Sequence, residues 1–232
     1  MRIYVILIPV FLLLYSCQNT TSKEIKFENI KDSANRTIPA QVVQQVSFYD
    51  TDKNKISADQ FNHLLAKGTF VSQQHTNKDG SEEVSLISIE AHSKTLENTS
   101  VPSFQLIDIE GNAFTRKDIE GKVTVLTFWM TTSFACAQEL KTMNELAQKY
   151  DKNDSFEWLA LALDQSADLS RFLRGRKLDF TFVSDQENFA QQLGILAYPT
   201  HLIIDKDGVV KRAIIRQPNS QVLIQETLKQ LL

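Results

Sequence analysis

Three side chains within seven residues have the types and spacing for nucleophilic or acid–base work: Ser133, Cys136 and Glu139, in the run Ser133-Phe-Ala-Cys136-Ala-Gln-Glu139. They follow a nearly continuous apolar stretch, Val123-Thr-Val-Leu-Thr-Phe-Trp129. Such a stretch predicts a strand buried on both faces, delivering the chain to the first turn of a helix where these residues stand. A cysteine in a first helical turn has a physical reason to react, because the dipole and the free N–H groups there favour a thiolate. Glu139, three residues on, shares a helix face with Cys136 and could accept its proton if burial suits its own acidity. The plainer expectation is a buried core cysteine and a surface glutamate that suits a first helical turn.

Only two cysteines occur, Cys17 and Cys136. Arg2 is followed by an uncharged apolar run, Ile3 to Tyr15, that ends Leu14-Tyr-Ser-Cys17. A basic start and a short apolar core read as a secretory signal. The run is too short for a span, which takes about 20 apolar residues, and Pro9 interrupts it. Leu-x-Ser-Cys resembles the bacterial lipoprotein cleavage box. That resemblance implies removal of residues 1–16, a lipid on Cys17, and a location in the cell envelope, anchored to a membrane and facing the periplasm or the exterior. The simpler alternative is a secreted protein with a free Cys17. With Cys17 acylated, Cys136 is the one remaining thiol. Any disulfide it makes is then with another molecule, in a compartment that favours disulfides.

Composition narrows the field less. With 42% hydrophobic and 23% charged residues, the chain can form one full domain and a smaller unit. A net charge of −3 without a basic stripe argues against nucleic acid as a partner.

Stepping along the chain, residues 17–36 are polar and mixed in charge, a tether. Residues 37–96 read as a small β-α-β-β unit: a strand over Gln41–Tyr49, a helix opened by the capping-box spacing Ser57-Ala-Asp-Gln60 and stopped at Gly68, and a hairpin from Thr69–Gln73 to Glu83–Ile89 across Asp79-Gly80. Residues 91–100 look like a linker. Beyond it, within residues 97–232, come a strand at Phe104–Ile109, the Val123–Trp129 strand, a helix over Phe134–Tyr150 and a strand at Phe156–Leu163. Helical segments near Asp168–Arg174 and Glu187–Leu193 flank Phe180–Val183. A hairpin joins Thr200–Asp205 to Val209–Ile215, and Asn219 can cap a last helix. Strands alternating with helices predict an α/β sheet with parallel pairs.

Several separated segments resemble the thioredoxin-like redoxins, a superfamily that includes the AhpC/TSA proteins and the TlpA/ResA-like thiol-disulfide oxidoreductases. They are Val101-Pro-Ser-Phe-Gln-Leu, Glu120-Gly-Lys122, Phe128-Trp129 with Cys136 and Glu139, and Ala197-Tyr-Pro199-Thr-His-Leu-Ile-Ile-Asp205. The resemblance implies a thioredoxin-like three-layer α/β/α sandwich with a mixed central sheet, preceded by the small α+β unit. It implies a cis bond before Pro199, and a substrate surface formed by Trp129, Tyr198, Pro199 and Thr200, where an extended peptide adds as a strand. Cys136 matches the family's second cysteine, and Ser133 stands where the attacking first cysteine belongs.

A serine hydroxyl cannot replace an attacking thiolate, so the usual dithiol cycle is not expected. Three functions stay open. Cys136 can exchange as a lone thiol with an envelope thiol or disulfide protein. It can act as a one-cysteine peroxidase, since Ser133-x-x-Cys136 resembles part of the peroxiredoxin Pro-x-x-x-Thr-x-x-Cys pattern, with Arg212 or Arg216 as the arginine. Or the fold can bind without turnover. No cofactor is expected. Asp50-Thr-Asp-Lys-Asn-Lys-Ile-Ser57 looks like a calcium loop but lacks its central glycine and final glutamate, so a turn is the better reading. His63, His75, His92 and His201 lack metal-ligand spacing; only His201, two positions after Pro199, could lie near Cys136, and a plain strand residue is the better reading for it.

Overall fold

The computed structural model describes residues 46–150 and 152–232, all within one compact unit, Gln44–Leu232. The signal segment 1–16, Cys17, the tether 17–36 and the start of the expected strand Gln41–Tyr49 lie outside the described residues.

The chain opens with β1, Val46–Tyr49, and a two-residue β2, Lys55–Ile56, joined by a turn. Asp50 closes that turn, its Oδ1 accepting from the N–H groups of Asp52 and Asn54 at 2.9 and 2.8 Å. Helix α1, Ala58–Leu65, starts at the expected capping box: Gln60 N–H donates to Ser57 Oγ, and Ser57 N–H donates to Gln60 Oε1. The hairpin β3, Phe70–Thr76, and β4, Glu82–Ser88, completes a sheet of order β2-β1-β4-β3, with β1 parallel to β4.

The expected linker 91–100 is a helix in its first half. α2 spans Ile89–Leu96, capped by Ser88. Its apolar spacing is sparse, which hides it from periodicity. Ile89 and Leu96 nevertheless enter the same buried cluster as Leu126 and Phe128 of the large sheet, so tertiary packing makes the helix where local pattern does not.

Then follow β5, Gln105–Ile107, β6, Ala113–Thr115, and a 3-10 turn, Arg116–Ile119. The remaining elements are β7, Val123–Trp129; α3, Phe134–Ala147; β8, Phe156–Ala162; α4, Ser166–Leu173; β9, Thr181–Val183; α5, Glu187–Gln192; β10, Thr200–Ile204; β11, Val210–Ile215; and α6, Ser220–Leu231. The sheet order is β11-β10-β7-β8-β9, parallel across β7-β8-β9 and antiparallel across β7-β10-β11. All seven residues of β7 are buried because both faces are covered. Val123 and Val125 meet Met143 and Leu146 of α3 and Ile224 and Leu228 of α6. Leu126 and Phe128 meet Phe189 and Ala190 of α5 on the other face. The result is the three-layer, thioredoxin-like α/β/α arrangement with a mixed central sheet.

Candidate active site

The carboxyl end of β7 brings the chain to α3 through a short loop anchored from the neighbouring strand. Thr131 donates both its N–H and its hydroxyl to the Asp164 carboxylate, at 2.8 and 2.6 Å. Ser133 is the N-cap of α3: its backbone is extended, and its Oγ accepts from Cys136 N–H at 3.4 Å. A hydroxyl is suited to this task, since it satisfies a donor that the first helical turn leaves free.

Cys136 lies beneath that turn, 2% exposed, against Trp129, Leu140, Ala160 and Ala162. Burial pushes its thiol above the ordinary value, outweighing the hydrogen bonds from Ser133 and the Met130 backbone, while the Glu139 and Asp164 carboxylates push the same way as burial. The thiolate-favouring helix start expected from sequence is therefore overridden by desolvation.

Glu139 projects from the next position on the same helix face. Its side chain is 22% exposed, and its Oε2 lies 3.0 Å from His201 Nε2. His201 sits on β10 directly opposite Thr127 of β7. It is buried, with Nδ1 2.9 Å from Thr127 Oγ1; the same oxygen accepts from Trp158 Nε1–H at 2.9 Å. Cys136, Glu139, Pro199, His201, Thr127 and Trp129 line one enclosed cavity of about 10 Å³, about the size of a single water. Outside it, an open groove of about 440 Å³ runs between the first turns of α3 and the loop after β11, lined among others by Ala135, Gln138, Glu139, Pro199, Arg216 and Pro218. Glu139 belongs to both spaces.

The Tyr198–Pro199 bond is cis. Pro199 and Thr200 are buried and Tyr198 is half-buried. Thr200 Oγ1–H donates to Ala197 O, and Arg216 N–H donates to Pro199 O. Burial raises the Tyr198 hydroxyl above its ordinary value, with the Glu187 carboxylate adding to it. Trp129 is 1% exposed and packs edge-on to Phe172 and Phe182, so it forms the cavity wall rather than the groove surface. Of the two arginines considered, Arg212 donates to Thr227 on α6, and Arg216 lines the groove rather than the cavity. Phe134, between Ser133 and Cys136, is 77% exposed. Sequence reasoning placed His201 within reach of Cys136 but favoured a plain strand residue; the structure sets it against Glu139. The available signal was strand alternation, which puts it on the same sheet face as Thr127 and toward α3.

The model of the AhpC/TSA family matches residues 98–213. Among relatives, the chain is 33% identical over 132 residues to the thiol-disulfide oxidoreductase ResA of Bacillus thuringiensis subsp. konkukian, covering 56% of this chain and 75% of that one. A protein assigned as the thiol:disulfide interchange protein DsbE of Chlorobium tepidum aligns with a TM-score of 0.53 and 26% identity, over 59% of this chain and 98% of its own. A thiol-disulfide oxidoreductase from Bacteroides fragilis shares the fold, with a TM-score of 0.51 at 23% identity, over 58% of this chain and 100% of its own.

Proposed function

The chain belongs to the AhpC/TSA family, and from that premise we propose a thioredoxin-like function of the thiol-disulfide oxidoreductase type, exercised in the bacterial cell envelope through a single thiol. In this reading an extended segment of a thiol or disulfide protein docks in the groove beside Pro199, and Cys136 exchanges with it one for one. The observation that carries it is Ser133: the hydroxyl that caps α3 over Cys136 stands where a dithiol pair would have its first sulfur, and the cavity, Glu139 and the groove lie beside it.

The step is thiol-disulfide exchange. Cys136 gives up its proton, the thiolate sulfur attacks one sulfur of the partner disulfide, the partner's S–S bond breaks, and the departing thiolate takes a proton. The products are a mixed disulfide on Cys136 and one free partner thiol. Release requires a second, external thiol, because no other described cysteine is present. Cys136 is 2% exposed, so attack requires the Ser133–Ala135 turn to yield. Incubation of the full chain carrying Cys17→Ala with a peptide disulfide at pH 8 should give one adduct per chain, mapped to Cys136 by mass spectrometry and removed by added dithiol. Absence of any adduct over hours would overturn exchange.

The burial of Cys136 specifically favours a second reading, in which the groove binds a partner and the thiol stays inert. The same experiment separates the two, since that reading predicts peptide binding without an adduct. A peroxidase built on Cys136 and Ser133 has less support, because the thiol is raised rather than lowered and neither Arg212 nor Arg216 lines its cavity. Lipid anchoring through Cys17 remains part of the proposal, resting on the Leu14-Tyr-Ser-Cys17 box.

A further inference from the structure

Four polar side chains from three strands and a helix form one hydrogen-bonded chain, buried up to Glu139 at its partly exposed end: Trp158 on β8, Thr127 on β7, His201 on β10 and Glu139 on α3. The hydrogens on it can be placed by elimination. Trp158 Nε1 can only donate, and it donates to Thr127 Oγ1. Thr127 has one hydroxyl proton, and His201 Nδ1 lies 2.9 Å away to accept it. The imidazole proton then sits on Nε2, 3.0 Å from Glu139 Oε2.

We propose that His201 is a positioning residue for Glu139: locked by Thr127 and Trp158 as the Nε2–H ring, it pins the carboxylate at the boundary between the Cys136 cavity and the docking groove. There the carboxylate does two things. It opposes a negative charge on the sulfur while the groove is empty, and it offers the acceptor for the thiol proton at the place where a docked segment arrives. The charged and titratable groups around the thiol are Glu139 on its own helix, Asp164 after β8, His201 on β10, and Arg216 on the groove side of Glu139. Asp164 is committed to Thr131, and Arg216 is not in the cavity. Glu139 is thus the carboxylate whose distance from the sulfur a single hydrogen bond controls. Without His201, its partly exposed side chain is free to turn into the groove.

The inference rests on the single-thiol reading for its chemistry, but its test does not require a partner. In the full chain carrying Cys17→Ala, the pH profile of Cys136 alkylation by a small neutral reagent is followed for four further variants. Glu139→Gln should move the midpoint down, since it removes a negative charge beside the sulfur. His201→Leu should move it the same way. His201→Gln, whose amide can still donate to Glu139, should stay near the parent. The double variant Glu139→Gln/His201→Leu should go no lower than Glu139→Gln alone, since both changes act through one carboxylate.

Nitrogen NMR of the unmodified ring should show His201 Nε2 protonated and Nδ1 bare at neutral pH, and Thr127→Val should break that preference. A folded His201→Leu with the parent profile, while Glu139→Gln shifts, would overturn the proposal. A proton found on Nδ1 would do the same, even if His201→Leu fails to fold. If these signatures hold and no peptide adduct forms, the exchange reading fails and the positioning role stands. If adducts form but the signatures are absent, the reverse follows.

Discussion

A sulfur and an oxygen in equivalent turns of a helix do different work, and Ser133 illustrates the oxygen's part. Its Oγ accepts from Cys136 N–H at 3.4 Å, a long cap bond. Ser133→Ala should cost about 0.5–1 kcal/mol of unfolding free energy, the lower part of the range for lost caps, read by urea denaturation. Ser133→Cys should do something qualitatively new. The pair would then sit one helical turn apart, and mild oxidation should remove two hydrogens by mass spectrometry. No loss would mean that the two side chains cannot reach disulfide geometry. In the parent protein, burial holds the Cys136 thiol above its ordinary value, so at pH 8 its alkylation should be at least about tenfold slower than that of a small free thiol. The types and spacing of Ser133, Cys136 and Glu139 were legible in sequence. The sign of the thiol's shift was not, because it is decided by Trp129, Leu140, Ala160 and Ala162, which come from three separate elements. The pairing of His201 with Glu139 was not legible for the same reason: its partners lie on other strands and on α3.

At the scale of elements, β7 and α3 announce themselves, one by a continuous apolar run and the other by helical spacing at Leu140, Met143, Leu146 and Ala147. The helix α2 does not, since one of its three buried positions, Ile89, His92 and Leu96, is a histidine, which leaves too few apolar residues to mark a period. His92 now has a role in packing: its Nε2 lies 2.9 Å from Gly194 O, beyond α5. Burial holds the His92 imidazole below its ordinary value, the bond to Gly194 acting the other way. A group depressed on folding adds stability that is present above its unfolded value, about 6.5, and is lost as pH falls through the folded value. Thermal unfolding should therefore drop by a few degrees between pH 7.5 and pH 5.5, and His92→Gln should remove most of that difference. An unchanged pH dependence in His92→Gln would show that α2 is held without this imidazole's neutral form. Gln41–Tyr49, read as one strand from sequence, is described only from Val46, and β2 is an addition to the expected β-α-β-β unit. Two-residue strands such as β2 carry too few side chains for a period to register.

For the molecule as a whole, the chain combines a covered α/β sheet, a groove at the ends of its strands and, in the reading offered here, a lipid at Cys17 that holds it in the envelope. Detergent phase partitioning of the protein made in bacteria should place it in the detergent phase, and Cys17→Ala should return it to the aqueous phase; equal partitioning of both would remove the anchor from the account. The overall architecture was legible because strand–helix alternation and several separated motifs agreed. The proposed departure from the dithiol pattern rests on one letter, Ser133, whereas the burial of Cys136 came only with the structure. The central claim is that this redoxin exchanges disulfides one for one and has no dithiol cycle. Multiple-turnover reduction of insulin, driven by excess dithiol reductant, tests it most directly. The full chain carrying Cys17→Ala should reduce insulin no faster than the reductant alone, and the same chain with Ser133→Cys should be measurably faster. Sustained catalytic reduction by the protein with Ser133 in place would contradict the claim.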